Sequence, residues 1–380
     1  MLNFEYPPLG GGQGNANKFI FEILNRDYPT LQVDIVTSSV DKERIEKYSV
    51  GDIHFLDIGK HNKSLHSQGI KDLIVSSWKT FWRASKLIRK NRYGLIIGWS
   101  GIPAGFIAYF LKLFHGIPFV TLLRGADVPF YEERWKKLDK YLFQYLSPFL
   151  WRKSVKVIAN STLLRDLAYK VSKKTEIDII TNGIDVNFFS PPECRDFEGK
   201  KIILGVGRLI ERKGFDILIK AAGKYAQKNN DFNFEIWLVG DGPEKEKLMQ
   251  LAKEYGIENQ LNMLGIKDKN ELQKIYKEAH IFCLPSYNEG MSNAVLEAIS
   301  TGLPALVTNV GGSEELIHNN GYIFATGDTL ALQNLLGKLF NDNKLLVLMS
   351  DESRKIANEL SWEKITAKFV HCFEQNYKYK

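Results

Sequence analysis

Two carboxylates stand close together in a stretch that reads as a loop followed by a helix. Glu289 and Glu297 are separated by seven residues in NEGMSNAVLEA, and the cap-forming residues Ser292 and Asn293 lie between them. The first N–H groups of such a helix and its positive dipole end favour an anion. Two carboxylates repel a bare phosphate, whereas a ligand with hydroxyls beside its phosphates satisfies both sets of groups. A nucleotide sugar is such a ligand; the alternative is that both carboxylates are only solvated.

The elements around this loop predict how it is positioned. The apolar run Ile281 to Leu284 precedes it, the helical pattern Ala294 to Ser300 follows it, and a second apolar run covers Leu303 to Val307. This order predicts a βαβ unit. Because ligands bind at the carboxyl ends of parallel strands, the loop of residues 286–293 is the predicted site.

Two cations occupy a comparable position earlier in the chain. Arg208 and Lys213 follow a predicted strand, Lys201 to Gly207, and precede a helical pattern. There they would meet the phosphates held by the helix that starts near Ser292, although surface cations are usually only solvated. The chain contains no Asp-x-Asp, and these two cations can replace the metal that such a carboxylate pair would hold. We therefore expect neither a metal nor another cofactor.

The spacing of Glu289 and Glu297 resembles the E-x7-E motif of retaining glycosyltransferases of family 4, which have the GT-B fold. Several separate motifs extend this resemblance over nearly the whole chain. It implies that Glu289 contacts the donor sugar, that Glu297 contacts the ribose, and that Arg208 and Lys213 grip the donor diphosphate. It also implies retention by front-face attack, in which the departing phosphate oxygen takes the acceptor proton.

The same resemblance supplies further donor-side candidates. The full set is Gly11, Gly12, Gly207, Asp241, Ile266, Gly290, Met291, Ser292, Asn293 and Glu297. The loop GGGQGN, which contains the first two, is similar to the family's Gly-Gly loop; by itself it could be a flexible turn. It does not match G-x-G-x-x-G, which argues against a dinucleotide oxidoreductase. Ile266 lies where members of the family bind the nucleotide base largely through main-chain groups. The side chains therefore do not identify which base the donor carries.

The acceptor-side candidates are Asn15 and Arg124, with Asp127 as a fourth catalytic candidate beside Arg208, Lys213 and Glu289. Many family members have a His where this chain has Arg124. Asp127 has an alternative role, since it could cap a helix that holds Trp135 and Leu138.

The length and the order of elements predict two domains. A chain of 380 residues exceeds what one core usually serves. Strand and helix patterns alternate from Val33 to Ile180, after a first strand read at Leu2 to Tyr6, and Pro191-Pro192 then forms a stiff connector. With the resemblance, we expect an α/β GT-B protein of two Rossmann-like, doubly wound domains facing a cleft. Residues 1–190 would bind acceptor, residues 191–360 donor, and a helix in 361–380 would cross back to the first domain. The sequence does not decide whether the true N-terminus lies upstream of Met1.

Composition indicates the compartment. Three distant cysteines give no disulfide framework, and no apolar run approaches the ~20 residues that span a bilayer, so we expect a cytoplasmic protein. The net charge of +7 is uneven, because residues 1–190 carry 27 Lys and Arg against 18 Asp and Glu.

Residues 71–92 read as a helix with one basic face. Its cations are Lys79, Arg83, Lys86 and Lys90, and the apolar stripe predicted to face the core is Ile74, Trp78, Phe81 and Ile88. Trp82 lies among the cations, which suits the headgroup region of an anionic membrane. The alternative is a solvated basic face. The membrane interpretation predicts salt-sensitive binding to anionic liposomes that weakens when the four cations become Glu.

The sequence thus predicts a glycosyltransferase of bacterial-type surface polysaccharide, lipopolysaccharide or glycolipid synthesis. Its expected partners are a nucleotide-sugar donor, a glycan or lipid-linked acceptor and the inner face of an anionic membrane, but no nucleic acid. The alternatives are a nucleotide-sugar epimerase of the same fold and a non-catalytic nucleotide-sugar binding protein.

Overall fold

A computed structural model describes residues 1–9, 12–59, 69–131, 136–230 and 233–377. The chain divides into two compact units. Unit 1 consists of Met1–Asn182 with Trp362–Lys380, and unit 2 of Gly183–Ser361. Both are α/β units built on parallel strands, so the predicted fold class is confirmed.

Unit 1 alternates strands and helices. Its strands are β1 (Ile35–Ser39), β2 (Arg44–Tyr48), β3 (Gly51–Asp57), β4 (Ile96–Gly98), β5 (Phe119–Leu123), β6 (Lys156–Ala159) and β7 (Ile177–Ile179). Its helices are α1 (Gly12–Asp27), α2 (Ile70–Lys90), α3 (Phe106–His115), α4 (Lys136–Leu138), α5 (Gln144–Lys153), α6 (Thr162–Tyr169) and α14 (Trp362–Asn376). Two wider helical turns, Gly101–Gly105 and Asp139–Phe143, lead into α3 and α5.

The strands of unit 1 form the orders β1-β3-β2 and β4-β5-β6-β7, parallel except for β2 against β3. The predicted first strand, Leu2 to Tyr6, is reduced to a single bridging residue. Leu2 pairs with both Val36 and Gly98 and so joins the two sets of strands. Strand β2 is not predicted from the sequence. It is an edge strand, and its charged residues obscure the alternation of apolar and polar residues that marks a strand.

Helix α2 covers the predicted stretch, but only half of the predicted apolar stripe faces the core. Phe81 and Ile88 pack against it as predicted. Ile74 and Trp78, predicted to face inward, are 64% and 65% exposed. Among the described side chains of α2, the buried ones are Ser76, Thr80, Ala84 and Ser85, and the Ser76 hydroxyl lies 3.0 Å from that of Ser38 in β1. A hydroxyl pair under the helix satisfies both groups, so the small polar side faces the sheet. Within the described ranges, no helix combines the length and apolar composition needed to cross a membrane.

Unit 2 contains one six-stranded sheet. Its strands are β8 (Lys201–Val206), β9 (Phe234–Val239), β10 (Leu261–Gly265), β11 (Ile281–Leu284), β12 (Ala305–Thr308) and β13 (Gly321–Phe324). Its helices are α7 (Phe215–Asn229), α8 (Lys245–Glu254), α9 (Lys269–Glu278), α10 (Asn293–Ser300), α11 (Ser313–Leu316), α12 (Thr329–Phe340) and α13 (Asn343–Glu359).

This sheet is parallel throughout, in the order β10-β9-β8-β11-β12-β13. The chain winds outward from β8 to β10, then returns to β11 and winds outward in the other direction. The connections therefore diverge between β8 and β11. In an open parallel sheet this is the switch point at which ligands bind.

Residues 183–190 belong to unit 2, although the sequence places the boundary after residue 190. Ile184 N donates to Leu360 O at 2.9 Å, and the Ser300 hydroxyl donates to Phe189 O at 2.6 Å. Arg354 Nη1 donates to Val186 O at 3.0 Å. These bonds fasten the segment before the proline pair to the second unit.

The chain returns to unit 1 through α14. The ring of Trp362 stacks on Phe19 of α1 with centroids 5.4 Å apart, and the Phe369 ring lies 5.8 Å from that of Trp99, next to β4. Phe369 is 1% exposed. The last helix is therefore part of the core of unit 1.

Candidate active site

The switch point of unit 2 brings together a cation and a carboxylate. Lys213 follows β8 and Glu289 follows β11; Lys213 Nζ lies 2.5 Å from Glu289 Oε1. The Ser286 hydroxyl donates to the same oxygen at 2.9 Å. Both charged side chains are 13% exposed, so the pair is largely shielded from water. Sequence reasoning placed both residues in the site but did not predict their bond.

Glycines allow this close approach. A Cβ on Gly207 would lie 3.1 Å from Lys213 Cε, so the lysine stem passes over bare backbone. Gly214 has a φ of 66° and lies against Pro285 O, where a side chain would not fit. Tyr287 N donates to Arg212 O at 2.8 Å and ties the two loops together.

The N-terminus of α10 lies beside the pair. Ser292 occupies the N-cap position of α10 with an extended backbone. The structure describes every residue of the first turn, and none of their N–H groups donates to the Ser292 hydroxyl. The first N–H groups of α10 are thus not capped by this side chain. Ser292 and Glu289 line a pocket with Gly290, Thr308 and Ser313, at the carboxyl ends of β11 and β12. This arrangement suits an anion held by backbone N–H groups.

Gly290 and Met291 shape the same loop. Gly312 N donates to Gly290 O at 3.1 Å, and Gly311, with a φ of 61°, lies directly against that carbonyl. Met291 is 8% exposed, and its thioether lies where a side chain on Gly312 would be. Met291 therefore packs the loop, while Gly290 supplies backbone to the pocket.

Glu297 lies one turn into α10 and is held by a residue that the sequence analysis missed. The Tyr276 hydroxyl donates to Glu297 Oε2 at 2.9 Å. Burial raises the pKa of Glu297 to about 7, against the opposing effects of the Tyr276 bond and the charge of Lys269. Tyr276 is fully buried, and a buried Tyr hydroxyl needs a partner; this was the available signal.

The remaining donor-side candidates lie on loops joined by backbone bonds. Leu209 N donates to Asp241 O at 2.9 Å, and Gly240 N donates to Gly265 O at 2.8 Å. These bonds link the ends of β8, β9 and β10. The side chains of Arg208 and Asp241 are exposed, and Ile266 is 79% exposed. The structure thus brings these three residues to one edge without bonding them to the Lys213–Glu289 pair.

Arg124 lies at the carboxyl edge of the unit 1 sheet, directly after β5. Its Nη1 donates to Asn182 Oδ1 at 3.0 Å, and its Cζ lies 4.8 Å from the Trp99 ring centroid and 5.6 Å from that of Phe369. Burial lowers the pKa of Arg124 to about 10, so it remains a cation at neutral pH. Asn182, missed by the sequence analysis, follows β7 at the same edge.

Asp127 fixes the loop that carries Arg124. Its Oδ1 accepts from Arg124 N at 3.0 Å and from Gly125 N at 2.8 Å, and its Oδ2 accepts from Gly101 N at 2.6 Å. Burial raises the pKa of this carboxyl. The carboxylate thus organises backbone across two loops, and we treat Asp127 as a positioning residue.

The glycine loop is only partly described. Gly11 lies outside the described residues. Gly12 and Asn15 are exposed in the first turn of α1, and Gln13 Nε2 donates to Trp99 O at 2.8 Å. This bond brings the start of α1 to the sheet edge where Arg124 lies.

Known proteins resemble both units. An uncharacterized glycosyltransferase from Haemophilus influenzae is 37% identical over 168 residues, which are 43% of this chain and 46% of that protein. An Escherichia coli UDP-Gal:alpha-D-GlcNAc-diphosphoundecaprenol alpha-1,3-galactosyltransferase is 28% identical over 303 residues, 75% and 76% of the two chains. The match to the first relative therefore spans only about half of its length.

A solved structure of sucrose-phosphate synthase from Thermosynechococcus elongatus superposes with a TM-score of 0.79 at 20% identity, over 98% of this chain and 97% of that one. This likeness shows a shared fold. Residues 190–356 match the family described as glycosyl transferases group 1, and residues 24–188 match Glycosyltransferase Family 4. Together these matches take in most of both units. The chain therefore belongs to glycosyltransferase family 4 and has the GT-B type of fold, with two Rossmann-like units.

Proposed function

We propose that this protein is a retaining, metal-independent glycosyltransferase that moves a sugar from a nucleotide-diphosphate donor to an acceptor hydroxyl. The observation that supports this proposal is the Lys213–Glu289 pair, which lies beside the N-terminus of α10 at the switch point of a parallel sheet. A cation, a carboxylate and helix N–H groups converge there. These groups match the diphosphate and the hydroxyls of a nucleotide sugar.

Each donor part then has a group of matching chemistry. The diphosphate lies against the first N–H groups of α10, with Lys213 and the exposed Arg208 beside it. Glu289 accepts from a hydroxyl of the sugar. Glu297, one turn further along α10, accepts from the ribose. The seven residues between the two carboxylates place one in the loop and the other on the helix, so one ligand can reach both.

The transfer breaks the bond between the anomeric carbon and the phosphate oxygen. The acceptor oxygen forms its bond to that carbon on the same face, and its proton passes to the departing phosphate oxygen. Negative charge on the leaving diphosphate is greatest in the transition state. Fixed donors are worth about 2.7–4 kcal/mol at such positions, and Lys213 and the α10 N–H groups supply them.

The acceptor is assigned to a lipid-linked glycan of cell-surface polysaccharide or lipopolysaccharide synthesis. The E. coli relative is named for transfer to a diphosphoundecaprenol-linked sugar, and it matches 75% of this chain. A uridine diphosphate sugar is the first donor to test, since the same name specifies UDP-Gal. A lipid-linked acceptor would place the enzyme at the inner face of the membrane.

A nucleotide-sugar panel with and without acceptor tests the proposal. Thermal shift first identifies the nucleotide that stabilises the protein. Release of nucleoside diphosphate is then measured with and without a lipid-linked acceptor, and the anomeric configuration of the product is read by NMR. Acceptor-dependent release with retained configuration is expected. Conversion of the donor without acceptor would indicate an epimerase, and binding without turnover would indicate a binding protein.

A further inference from the structure

Three helical segments of unit 1 expose large apolar side chains. They are Trp78 and Trp82 of α2, Leu113 and Phe114 of α3, and Tyr141 and Tyr145 of residues 136–153, which contain α4 and α5. Each is between 49% and 73% exposed. We call these six residues the aromatic surface. Single exposed apolar side chains are ordinary, whereas an extended set of this kind marks an interaction site.

Ring contacts connect α2 to α3. The Trp78 and Trp82 centroids are 5.6 Å apart, and Phe81 lies 5.5 Å from Trp82. Phe81 then reaches across to Phe114, 5.8 Å away. The exposed aromatics of α2 and α3 are thus one patch rather than two.

A second set of contacts connects α3 to α5. The Tyr109 ring lies 5.9 Å from Phe110 and 5.4 Å from Phe149. Phe149 follows Tyr141 and Tyr145 at intervals of four residues, which keeps the three near one side of the helical segment. The aromatic surface therefore extends over all three helices.

The charges on these helices are almost all positive. Exposed cations on α2 and on residues 136–153 are Lys71, Lys79, Lys86, Arg89, Lys90, Lys136, Lys137, Lys140, Arg152 and Lys153. Helix α3 contains no carboxylate, and α2 has one, Asp72, in its first turn. Asp139 is 4% exposed and accepts from Phe130 N at 2.9 Å. The helical segments that carry the aromatic surface are therefore complementary to anions.

We propose that the aromatic surface inserts into the headgroup region of an anionic phospholipid membrane. Tryptophan and tyrosine place an apolar ring below the headgroups and a polar edge among them. The flanking lysines and arginines meet the lipid phosphates. This surface and its flanking cations keep Trp82, Lys86 and Lys90 of the basic face predicted from sequence, but not Lys79 and Arg83. Lys79 Nζ donates to Asp57 O at 2.5 Å, and Arg83 pairs with Glu43 beside His54, so both are engaged by unit 1 itself.

The inference deepens the proposed function by assigning the surface that meets the membrane. It rests on that function only in one respect, because a lipid-linked acceptor is the reason for the enzyme to bind a membrane. Vesicle binding requires neither donor nor acceptor. Loss of vesicle binding with intact transfer, and loss of transfer with intact vesicle binding, are therefore separate outcomes.

Vesicle flotation tests the surface directly. The full chain is floated with vesicles of phosphatidylcholine alone and with vesicles that also contain phosphatidylglycerol, at low and high salt. The test variant is Trp78→Ser with Phe114→Ser. Its matched control is Leu330→Ser with Leu348→Ser in unit 2, whose side chains are 64% and 67% exposed, close to the 65% and 71% of the test pair. Thermal melting checks that both variants fold.

The wild type and the control are expected to float with the anionic vesicles, and the test variant to partition at least about tenfold less, a difference of about 1.4 kcal/mol. Lys86→Glu with Lys90→Glu should remove much of the salt-sensitive part of binding. Failure of the wild type to float, or equal losses in test and control variants, would overturn the proposal. A wild-type dimer that the test variant abolishes, without vesicle binding, would show instead that the surface joins two copies of the chain.

Discussion

Lys213 Nζ and Glu289 Oε1 lie 2.5 Å apart, across the gap between the loops that follow β8 and β11. The residues assigned to the diphosphate and to the sugar are therefore bonded to each other. A diphosphate that draws Lys213 towards itself frees a carboxylate oxygen of Glu289 for a sugar hydroxyl. In the proposed function the two ends of the donor are thus recognised jointly.

Lys213→Met should lower kcat by about 10²–10³ while weakening donor binding less, because leaving-group charge is greatest in the transition state. Arg208→Ala should act in the same direction but more weakly, since its side chain is exposed. Steady-state kinetics with a separate measurement of donor affinity distinguishes these effects. Lys253→Met is a control in α8, away from the pair. Unchanged kcat in both Lys213 and Arg208 variants would remove them from the mechanism.

The two carboxylates should have separable effects. Glu297→Gln is expected to weaken affinity for nucleoside diphosphate, whereas Glu289→Gln should spare that affinity and impair sugar transfer. Titration calorimetry with nucleoside diphosphate, followed by turnover assays, makes the comparison. A double-mutant cycle of Lys213→Met with Glu289→Gln should be non-additive, since the two side chains are bonded. Equal loss of nucleoside diphosphate affinity in both Glu variants would contradict the assignment.

Donor affinity should rise with pH through about 7, where Glu297 loses its proton and becomes the stronger acceptor for ribose hydroxyls. The ligand is an intact nucleotide sugar, because its diphosphate does not titrate there. Tyr276→Phe removes a bond that lowers the pKa of Glu297, so the midpoint should move to higher pH. Glu297→Gln should flatten the profile. An unchanged profile in the Gln variant would assign the titration to another group.

The same carboxyl should make stability fall with rising pH. Its folded pKa of about 7 exceeds the ordinary 4.5, so between these values the folded protein binds more protons than the unfolded chain. The contribution of Glu297 to the free energy of unfolding therefore decreases from about pH 4.5 to about pH 7. Between these pH values the melting temperature of the wild type should fall relative to that of Glu297→Gln. The same pH dependence of the melting temperature in both proteins would show that Glu297 does not contribute.

Transfer should continue in excess EDTA, because Lys213 and the α10 N–H groups can stabilise the leaving diphosphate without a metal. The measurement is initial rate before and after dialysis against chelator, with magnesium re-addition as the control. Activity that disappears with EDTA and returns with magnesium would contradict metal independence.

Asp127→Ala should reduce the free energy of unfolding by about 1–3 kcal/mol, since it leaves the buried N–H groups of Gly101, Arg124 and Gly125 without their acceptor. Asp127→Asn keeps one carbonyl oxygen and should recover part of the loss. Asp166→Ala, an exposed change in α6, is the control and should have little effect. Lost activity with unaltered chemical denaturation would make Asp127 a catalytic residue instead.

Sequence reasoning located the buried strands well and the exposed faces poorly. The strand Ile281–Leu284 is predicted residue for residue, because an apolar run bounded by turns leaves little choice. The face of α2 was predicted only in part. Phe81 and Ile88 pack against the core as predicted, whereas Trp78 is exposed because the sheet beneath offers the Ser38 hydroxyl to the small polar side.

The candidate site was predictable as a place but not as a set of bonds. Parallel strands end at one edge, so residues after β8 and β11 were expected to meet. The bond between Lys213 and Glu289, and that between Tyr276 and Glu297, depend on side-chain directions across elements that are far apart in the chain. A pattern along one element carries no information about such distances.

The division of the chain has a consequence for biosynthesis. Unit 2 is continuous, so all of its residues have been translated once the ribosome reaches Ser361. Unit 1 then still lacks α14, whose Trp362 stacks on Phe19 and whose Phe369 lies against Trp99. Although unit 1 begins the chain, it therefore cannot complete its fold until the whole of unit 2 has been translated. Until α14 emerges, the nascent first unit exposes the apolar surface that this helix later covers. Chaperones can bind that surface during this interval.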